Sequence, residues 1–284
     1  MEVNVVVKVG GASIRDVLSI KTFLSRVQQY MKEPTIVVVS AMDKVTNMLE
    51  FLALCLYEGK QLEAKKAWHE VYDFHMNIVR ELFSVEYYRE ISNEIGKLFI
   101  FDIDKYKNKP YDSIYGKIVP LGELASSVIV NCYLDCKGLK NKLVDARDFM
   151  VTSENSIDAE VLFSETEQGI KSIFTGNLIQ ENRLIITQGF IGKSVNGLLS
   201  TIGREGSDYT AILLSIILGT ELNFWKKRGV DGNPERISLE KFMEIEKKSE
   251  KSLLSSKGLN LLMEYKKTFR INNFDNPYES TVVG

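Results

Sequence analysis

An α/β architecture, with a mainly parallel central sheet sandwiched by helices in two lobes, is what this sequence predicts. Three observations carry the prediction. Residues 3–9 are a β-branched run that leads at once into a glycine pair and an amphipathic pattern over 14–31. Residues 36–39 are a second apolar run just beyond Pro34, so the order is strand, helix, strand. Further short apolar runs at 142–146, 183–188 and 221–225 alternate with helical stretches, as a parallel sheet covered on both faces requires.

The elements follow in order. Ile14, Val17, Leu18, Phe23, Leu24 and Val27 repeat at helical spacing, and Pro34 ends that unit. Residues 36–39 read as a buried strand that delivers Ser40 to its carboxyl edge, where ligands collect in such sheets. Residues 44–100 hold no proline and few glycines, which predicts two or three helices elaborating the first lobe. Residues 102–118, with Lys105, Lys107, Lys109 and Pro110, read as a loop or hairpin. A helix over 121–136 and strands over 142–146 and 183–188 complete an N-terminal lobe assigned to 1–189. The C-terminal lobe, 190–284, holds a helix over 209–218, a strand over 221–225, helices over 238–250 and 253–266, and strands over 268–271 and 280–283.

Composition narrows the function. With 284 residues, 44% hydrophobic and 26% charged, the chain has ample core for a globular protein. A net charge of −2 argues against nucleic acid as the main partner. No apolar run approaches a membrane span, and residues 1–15 lack a signal-peptide pattern. Three cysteines provide no disulfide framework, so the expected compartment is cytoplasmic. Cys132 and Cys136 share a helix face but have no further ligand in sequence, and His69 and His75 fall on different faces, so no metal site is predicted.

Two segments carry anion chemistry. Gly203-Arg204-Glu205-Gly206-Ser207-Asp208 puts two glycines, a guanidinium and a carboxylate into one turn before an apolar helix. Glycine permits φ > 0 and close backbone approach, Arg204 suits a carboxylate or phosphate, and Ser207 and Asp208 are N-cap residue types. The positive end of the helix then points into the turn. At the other end of the chain Lys8 sits inside a valine run, two residues before Gly10-Gly11. A lysine there is costly to bury without a counter-charge, and a phosphate would be one. Asp208 is a candidate to hold Lys8 in place.

Five ordered segments together resemble the aspartokinase family. Lys8-Val9-Gly10-Gly11-Ala12-Ser13 is similar to its K-F-G-G-T-S opening, and Ser40-Ala41 with Val45-Thr46-Asn47 to its S-A-x-x-x-x-T-N run. Gly122-Glu123-Leu124-Ala125-Ser126 is similar to G-E-x-x-S, Thr187 to Gly192 to T-Q-G-F-I-G, and residues 203–210 to G-R-x-G-S-D-Y-T. The resemblance implies the amino-acid kinase fold and transfer of the ATP γ-phosphate to L-aspartate, with Mg2+ carried on the nucleotide. It implies Lys8 and Asp208 as catalytic residues. Ser40, Thr46, Glu123, Phe190, Arg204 and Ser207 would form the amino-acid pocket, with Glu123 on the amino group and Arg204 on the α-carboxylate. Lys8, Gly10, Gly11, Ser13 and Lys257 would serve the nucleotide. A homodimer is expected, and a separate regulatory subunit is compatible with the absence of the paired ACT modules that usually follow.

The resemblance lapses after Trp225. The family continues with D-V-x-G, whereas Lys227 stands at that aspartate, and the 226–236 segment is about two residues short. Ser255-Ser256-Lys257-Gly258 stands in place of a G-A-x-x-x-H-P run. Alternatives are therefore a weak or inactive homologue that binds an amino acid or a partner kinase, and a kinase for a related carboxylate.

Overall fold

A computed structural model describes residues 2–30, 32–249, 252–276 and 278–284. Met31 and Glu250, at the ends of two expected helices, and Pro277 lie outside the described residues. Strand β1 (Val5–Val9) buries even its lysine, and a 3-10 turn, Gly11–Ile14, leads into α1 (Val17–Tyr30). Strand β2 (Thr35–Val39) is buried at every position, as a strand covered on both faces must be.

The elaboration over 44–100 is three helices, α2 (Val45–Tyr57), α3 (Gln61–Leu82) and α4 (Val85–Leu98). The expected loop or hairpin at 102–118 is instead a 3-10 turn, Ile103–Tyr106, followed by α5 (Tyr111–Ile118). Of the lysines that suggested a loop, Lys105 lies in the turn, and Lys107 and Lys109 lie between it and α5. Ile114, Tyr115 and Ile118, at helical spacing, bury one face of α5, which packs on α2. Helix α6 (Leu121–Cys136) follows, separated from α5 by a turn at Val119 and Pro120. Contrary to the sequence reading, Tyr111–Cys136 is long and apolar enough to cross a membrane, but 72% of its apolar window is buried inside the fold. It is a core element of the sandwich.

Strands β3 (Lys142–Val144) and β4 (Val151–Thr152), helices α7 (Phe163–Ile173) and α8 (Gly176–Glu181), and strand β5 (Leu184–Gln188) complete the first half. Beyond it come β6 (Ile191–Ser194), β7 (Leu199–Thr201), α9 (Gly206–Leu218), β8 (Glu221–Lys226) and β9 (Arg236–Ile237). Helices α10 (Leu239–Lys248) and α11 (Ser256–Glu264) and strands β10 (Phe269–Asn273) and β11 (Ser280–Val283) end the chain.

Eight strands form one sheet in the order β3-β5-β2-β1-β8-β10-β11-β9, and β4-β6-β7 form a small second sheet. The large sheet is parallel except between β10 and β11. It runs unbroken across residue 189, because β1 pairs with β2 on one side and with β8 on the other. In register, Lys8 faces Val38 of β2 and Phe224 of β8. Strand order reverses direction at β1, and at such a switch point the loops leaving the carboxyl ends diverge and open a crevice.

Candidate active site

That crevice is a cleft of about 930 Å³ into which β1, the residues just after β2, α6, β8 and the start of α9 all deliver side chains. Lys8 Nζ lies 2.8 Å from Asp208 Oδ1, and Lys226 Nζ donates a hydrogen bond of 2.7 Å to Asp208 Oδ2. The side chains of Lys8, Asp208 and Lys226 are 8%, 2% and 15% exposed. Burial lowers the Lys8 ammonium and the neighbouring Lys226 adds to this, against the pull of Asp208. Burial alone would raise the Asp208 carboxyl, but Lys226 and Lys8 together hold it below its ordinary range.

Asp208 and Ser207 are not helix caps, as their residue types suggested. Helix α9 begins at Gly206 behind Glu205, which adopts a left-handed φ of 58° and has no capping side chain. A Cβ on Gly206 would stand 2.6 Å from Ile202 Cγ1 and 3.1 Å from the Phe190 Cα, so glycine there permits close packing rather than positive φ. Asp208 falls inside the first turn, where its carboxylate meets the two lysines. Gly203 does take positive φ, at 85°. In the first glycine pair Gly10 has an ordinary φ of −74°, and a Cβ on Gly11 would lie 2.2 Å from the Ala41 carbonyl oxygen. Gly11 thus lets two backbone segments touch at the mouth of the cleft.

Glu123 enters from the first turn of α6. Its Oε1 accepts the Ala41 N–H at 3.2 Å, whereas its buried Oε2 has no hydrogen-bond partner. Burial pushes this carboxyl up to about 8, although the Ala41 and Glu123 backbone N–H groups and Lys8 pull the other way. Ser126 Oγ donates 2.7 Å to the Ser40 carbonyl and so ties α6 to the end of β2. The 187–192 segment is explained by packing as well. Gln188 accepts from Ala146 N–H and donates to Ser127 Oγ, while a Cβ on Gly189 would sit 2.4 Å from the Ser207 Cα. Phe190 turns at a φ of 70°, with its N–H donating to Thr210 Oγ1.

Four of the seven described non-glycine residues with positive φ, namely Asp43, Asp158, Phe190 and Glu205, line this cleft. Strain retained in one place marks a functional region. A second cavity of about 630 Å³ lies against the sheet face near Arg26, Asn223 and Asn272, and none of the strained residues or expected site residues lines it.

Of the residues expected from sequence, Lys8, Gly11, Ser40, Thr46, Glu123, Phe190, Arg204, Ser207 and Asp208 line the cleft together. Gly10, Ser13 and Lys257 are not on its lining. Ser13 is buried beneath the Gly10 turn, to whose carbonyl its N–H donates. Lys257 donates to the Ile202 carbonyl at 3.3 Å and lies 5.0 Å over the Tyr209 ring, which keeps its ammonium at the Gly203 turn. Arg204 is exposed and makes no hydrogen bond or ion pair among the described residues. Lys227, at the family's aspartate position, pairs with Asp275 at 2.7 Å and lies over the Phe274 ring.

Sequence reasoning missed Glu246, and took Lys226 only as one of the basic residues 226–228 that could favour a triphosphate. Lys226 closes the apolar run of β8 just as Lys8 lies at the end of β1, a repeated strand-end lysine that was a usable signal. Buried Glu246 accepts the N–H groups of Leu253 and Leu254 and so fixes the corner that lines the cleft beyond Arg228.

A family model described as the amino acid kinase family matches residues 4–263. The bifunctional aspartokinase/homoserine dehydrogenase 1 of Arabidopsis thaliana is 29% identical over 248 residues, covering 81% of this chain and 26% of that protein. The aspartokinase of Chlamydia trachomatis is 29% identical over 210 residues, 74% of this chain and 45% of its own length. The chain thus spans less than half of these curated relatives. Among solved structures, E. coli aspartokinase III in complex with lysine and aspartate superposes with a TM-score of 0.86 at 23% identity, over 99% of this chain and 64% of that one. The same enzyme with aspartate and ADP gives 0.82, also at 23% identity. At these identities the superpositions establish the fold.

Proposed function

Because the chain belongs to the amino acid kinase family, we propose that it is an aspartate kinase, moving the γ-phosphate of ATP to the side-chain carboxylate of L-aspartate to give 4-phospho-aspartate. The observation that carries this reading is one cleft in which a buried carboxylate oxygen without a partner, on Glu123, shares space with the Lys8–Asp208–Lys226 group. The first awaits a cation and the second an anion. An amino acid with a phosphate beside it supplies both.

In this reading the aspartate ammonium meets Glu123 and its α-carboxylate meets the unpaired guanidinium of Arg204, which offers a two-pronged contact. Thr46, Ser40, Phe190 and Ser207 line the remaining wall. The side-chain carboxylate attacks the γ-phosphorus. An O–P bond forms, the bond from that phosphorus to the β–γ bridging oxygen breaks, and the electron pair leaves with ADP. A carboxylate is already ionised at neutral pH, so no protein base has to accept a proton. The protein's part is alignment and positive charge on the transferring group, and alignment alone contributes on the order of 7–11 kcal/mol at best. Among the described residues no group of three or more His, Cys, Asp or Glu side chains converges as a metal cage. Mg2+ therefore enters this scheme on the nucleotide's phosphates, as part of the substrate. The reading also places the protein in the cytoplasm, as a homodimer open to a separate regulatory subunit. Cys55, Cys132 and Cys136, free in the structure, would stay reduced there.

ADP release measured by a coupled assay with aspartate, glutamate and N-acetylglutamate tests the proposal. Release should depend on aspartate. Saturable aspartate binding without turnover would favour the amino-acid-binding homologue, for which the basic residue at position 227 is the supporting observation. Turnover with glutamate or N-acetylglutamate alone would reassign the acceptor.

A further inference from the structure

Helices α2 and α5 close one wall of the cleft with a tethered aromatic ring. Thr46 and Glu50 are four residues apart on one face of α2, and both line the cleft together with Tyr115 of α5. The Tyr115 hydroxyl donates to Glu50 Oε1 at 2.8 Å. Its ring meets Tyr111 edge to face, and Tyr111 meets Tyr57 in the same way, so the ring is held from behind as well as at its tip. Tyr115 is 9% exposed. The helix beneath it has no room to retreat, because a Cβ on Gly116 would already stand 2.8 Å from the Ser156 Cβ and 3.0 Å from the Leu199 carbonyl oxygen. Burial and the bond to Glu50 raise the Tyr115 phenol, which therefore remains a donor at neutral pH. Glu123 adds to the rise, so the phenol lies within reach of that carboxylate's charge. Tyr115 and Glu50 thus stand at the Glu123 end of the cleft, whereas Lys8, Asp208 and Lys226 come from the sheet and α9.

We propose that Tyr115, held by Glu50, is a specificity-determining residue that closes the pocket around the acceptor's amino group, so that the site takes amino acids with a free α-ammonium and turns N-acylated ones away. The inference rests on the reading above that Glu123 meets that ammonium. An ammonium ends in hydrogens and fits beside the ring. An acyl group puts a carbonyl and a methyl on the same nitrogen, and it removes the charge that Glu123 Oε2 would pair. Glu123 alone discriminates by charge. The ring adds discrimination by shape, and such an excluding wall is what separates analogues that share every other contact. Glu50 is a positioning residue, since it acts by holding the ring.

The experiment measures melting temperature, calorimetric affinity for L-aspartate and for N-acetyl-L-aspartate, and turnover of each, in the full chain. Wild type should bind L-aspartate at least about a hundredfold more tightly than the acetylated form. Tyr115→Ala should bind N-acetyl-L-aspartate about tenfold more tightly than wild type does. General loosening of the fold weakens both ligands, so a gain in affinity reports the opened wall. Should the alanine variant not fold, Tyr115→Leu keeps apolar packing on a shorter side chain and should gain about threefold. Glu50→Ala should narrow the preference for L-aspartate about threefold, and Glu50→Gln, whose amide oxygen can accept the Tyr115 hydroxyl, should restore it. N-acetyl-L-aspartate bound no more tightly by either Tyr115 variant, or bound by wild type as tightly as L-aspartate, would overturn the assignment. A wild type that binds neither would overturn it together with the acceptor reading. A wild type that binds L-aspartate, gains the acetylated ligand on opening the wall, and turns over neither would instead remove the kinase reading and leave the role of Tyr115 standing.

Discussion

Replacing Glu123 by Gln should free the stability of the empty protein from one large pH-dependent penalty. The carboxyl is pushed from 4.5 up to about 8, first by burial, so the folded state holds its proton more tightly than the unfolded chain does. Below pH 4.5 both states are protonated and no penalty exists. Between 4.5 and about 8 the unfolded chain has released its proton while the fold retains it, so stability falls as pH rises. Above that window the full penalty, on the order of 4–5 kcal/mol at 1.36 kcal/mol per pH unit, is present. Gln keeps the shape, and its amide oxygen can accept from Ala41 N–H as Oε1 does. Its NH2 takes the place of the partnerless Oε2, at a cost of about 1–3 kcal/mol that does not vary with pH. Urea unfolding of both proteins at pH 5, 6, 7, 8 and 8.5 isolates the effect, since every other titrating group cancels in the difference. The variant should gain on wild type by several kcal/mol across that range, while aspartate binding is lost. A difference that stays flat with pH would refute the argument. A second readout agrees in sign: an ammonium favours the ionised carboxylate, so aspartate binding to wild type at pH 7 should release a proton, visible as buffer-dependent heat.

Arg204→Lys should weaken aspartate binding more than tenfold and ATP binding less than twofold, because the ammonium loses the planar two-pronged contact; calorimetric titration with each ligand checks it. Gly11→Ala places a Cβ 2.2 Å from the Ala41 carbonyl and should cost about 1–3 kcal/mol, so an unchanged melting temperature would contradict the close approach described. Burial lowers His75 from 6.5 to about 4, so the neutral ring contributes stability that is complete above pH 6.5 and is lost as pH falls toward 4. His75→Gln should flatten that acid limb by on the order of 3 kcal/mol in acid-unfolding curves. With phosphate contacts kept and the 226–236 segment altered, ATP should exceed GTP only modestly as donor at saturating aspartate, and a strong ATP preference would show a rebuilt base pocket.

The site residues that could be read from the chain are those whose type clashes with their local setting. A lysine among valines at position 8 is one, and a carboxylate beside the glycines at 203–206 is another. Glu123 was legible only through its motif, since a first-turn helix glutamate is ordinary. That Lys226 meets Asp208 beside Lys8 was not legible, because it depends on β8 lying beside β1, and strand order is set by contacts more than two hundred residues apart in sequence. Lys257 was legible only as part of a local run. Its run fits a phosphate loop, but the structure gives the ammonium a carbonyl and an aromatic ring near Gly203. Among the elements, α5 was hidden by the lysines that precede it, which outweighed the spacing of Ile114, Tyr115 and Ile118. Strands β4, β6 and β7, two to four residues long, are too short to show a period.

The position of β1 between β2 and β8 also bears on how the chain is made. Strand β1 receives β2 within some thirty residues of synthesis, but its other flank must wait for Glu221–Lys226. At synthesis rates of about 5–20 residues per second that wait is roughly 10–40 s. Throughout it, a valine-rich edge lacks its neighbour and Lys8 lacks both Asp208 and Lys226. Non-local pairing of this kind is slow and open to aggregation. The residue around which the chemistry is arranged is therefore made some two hundred residues before its surroundings are complete.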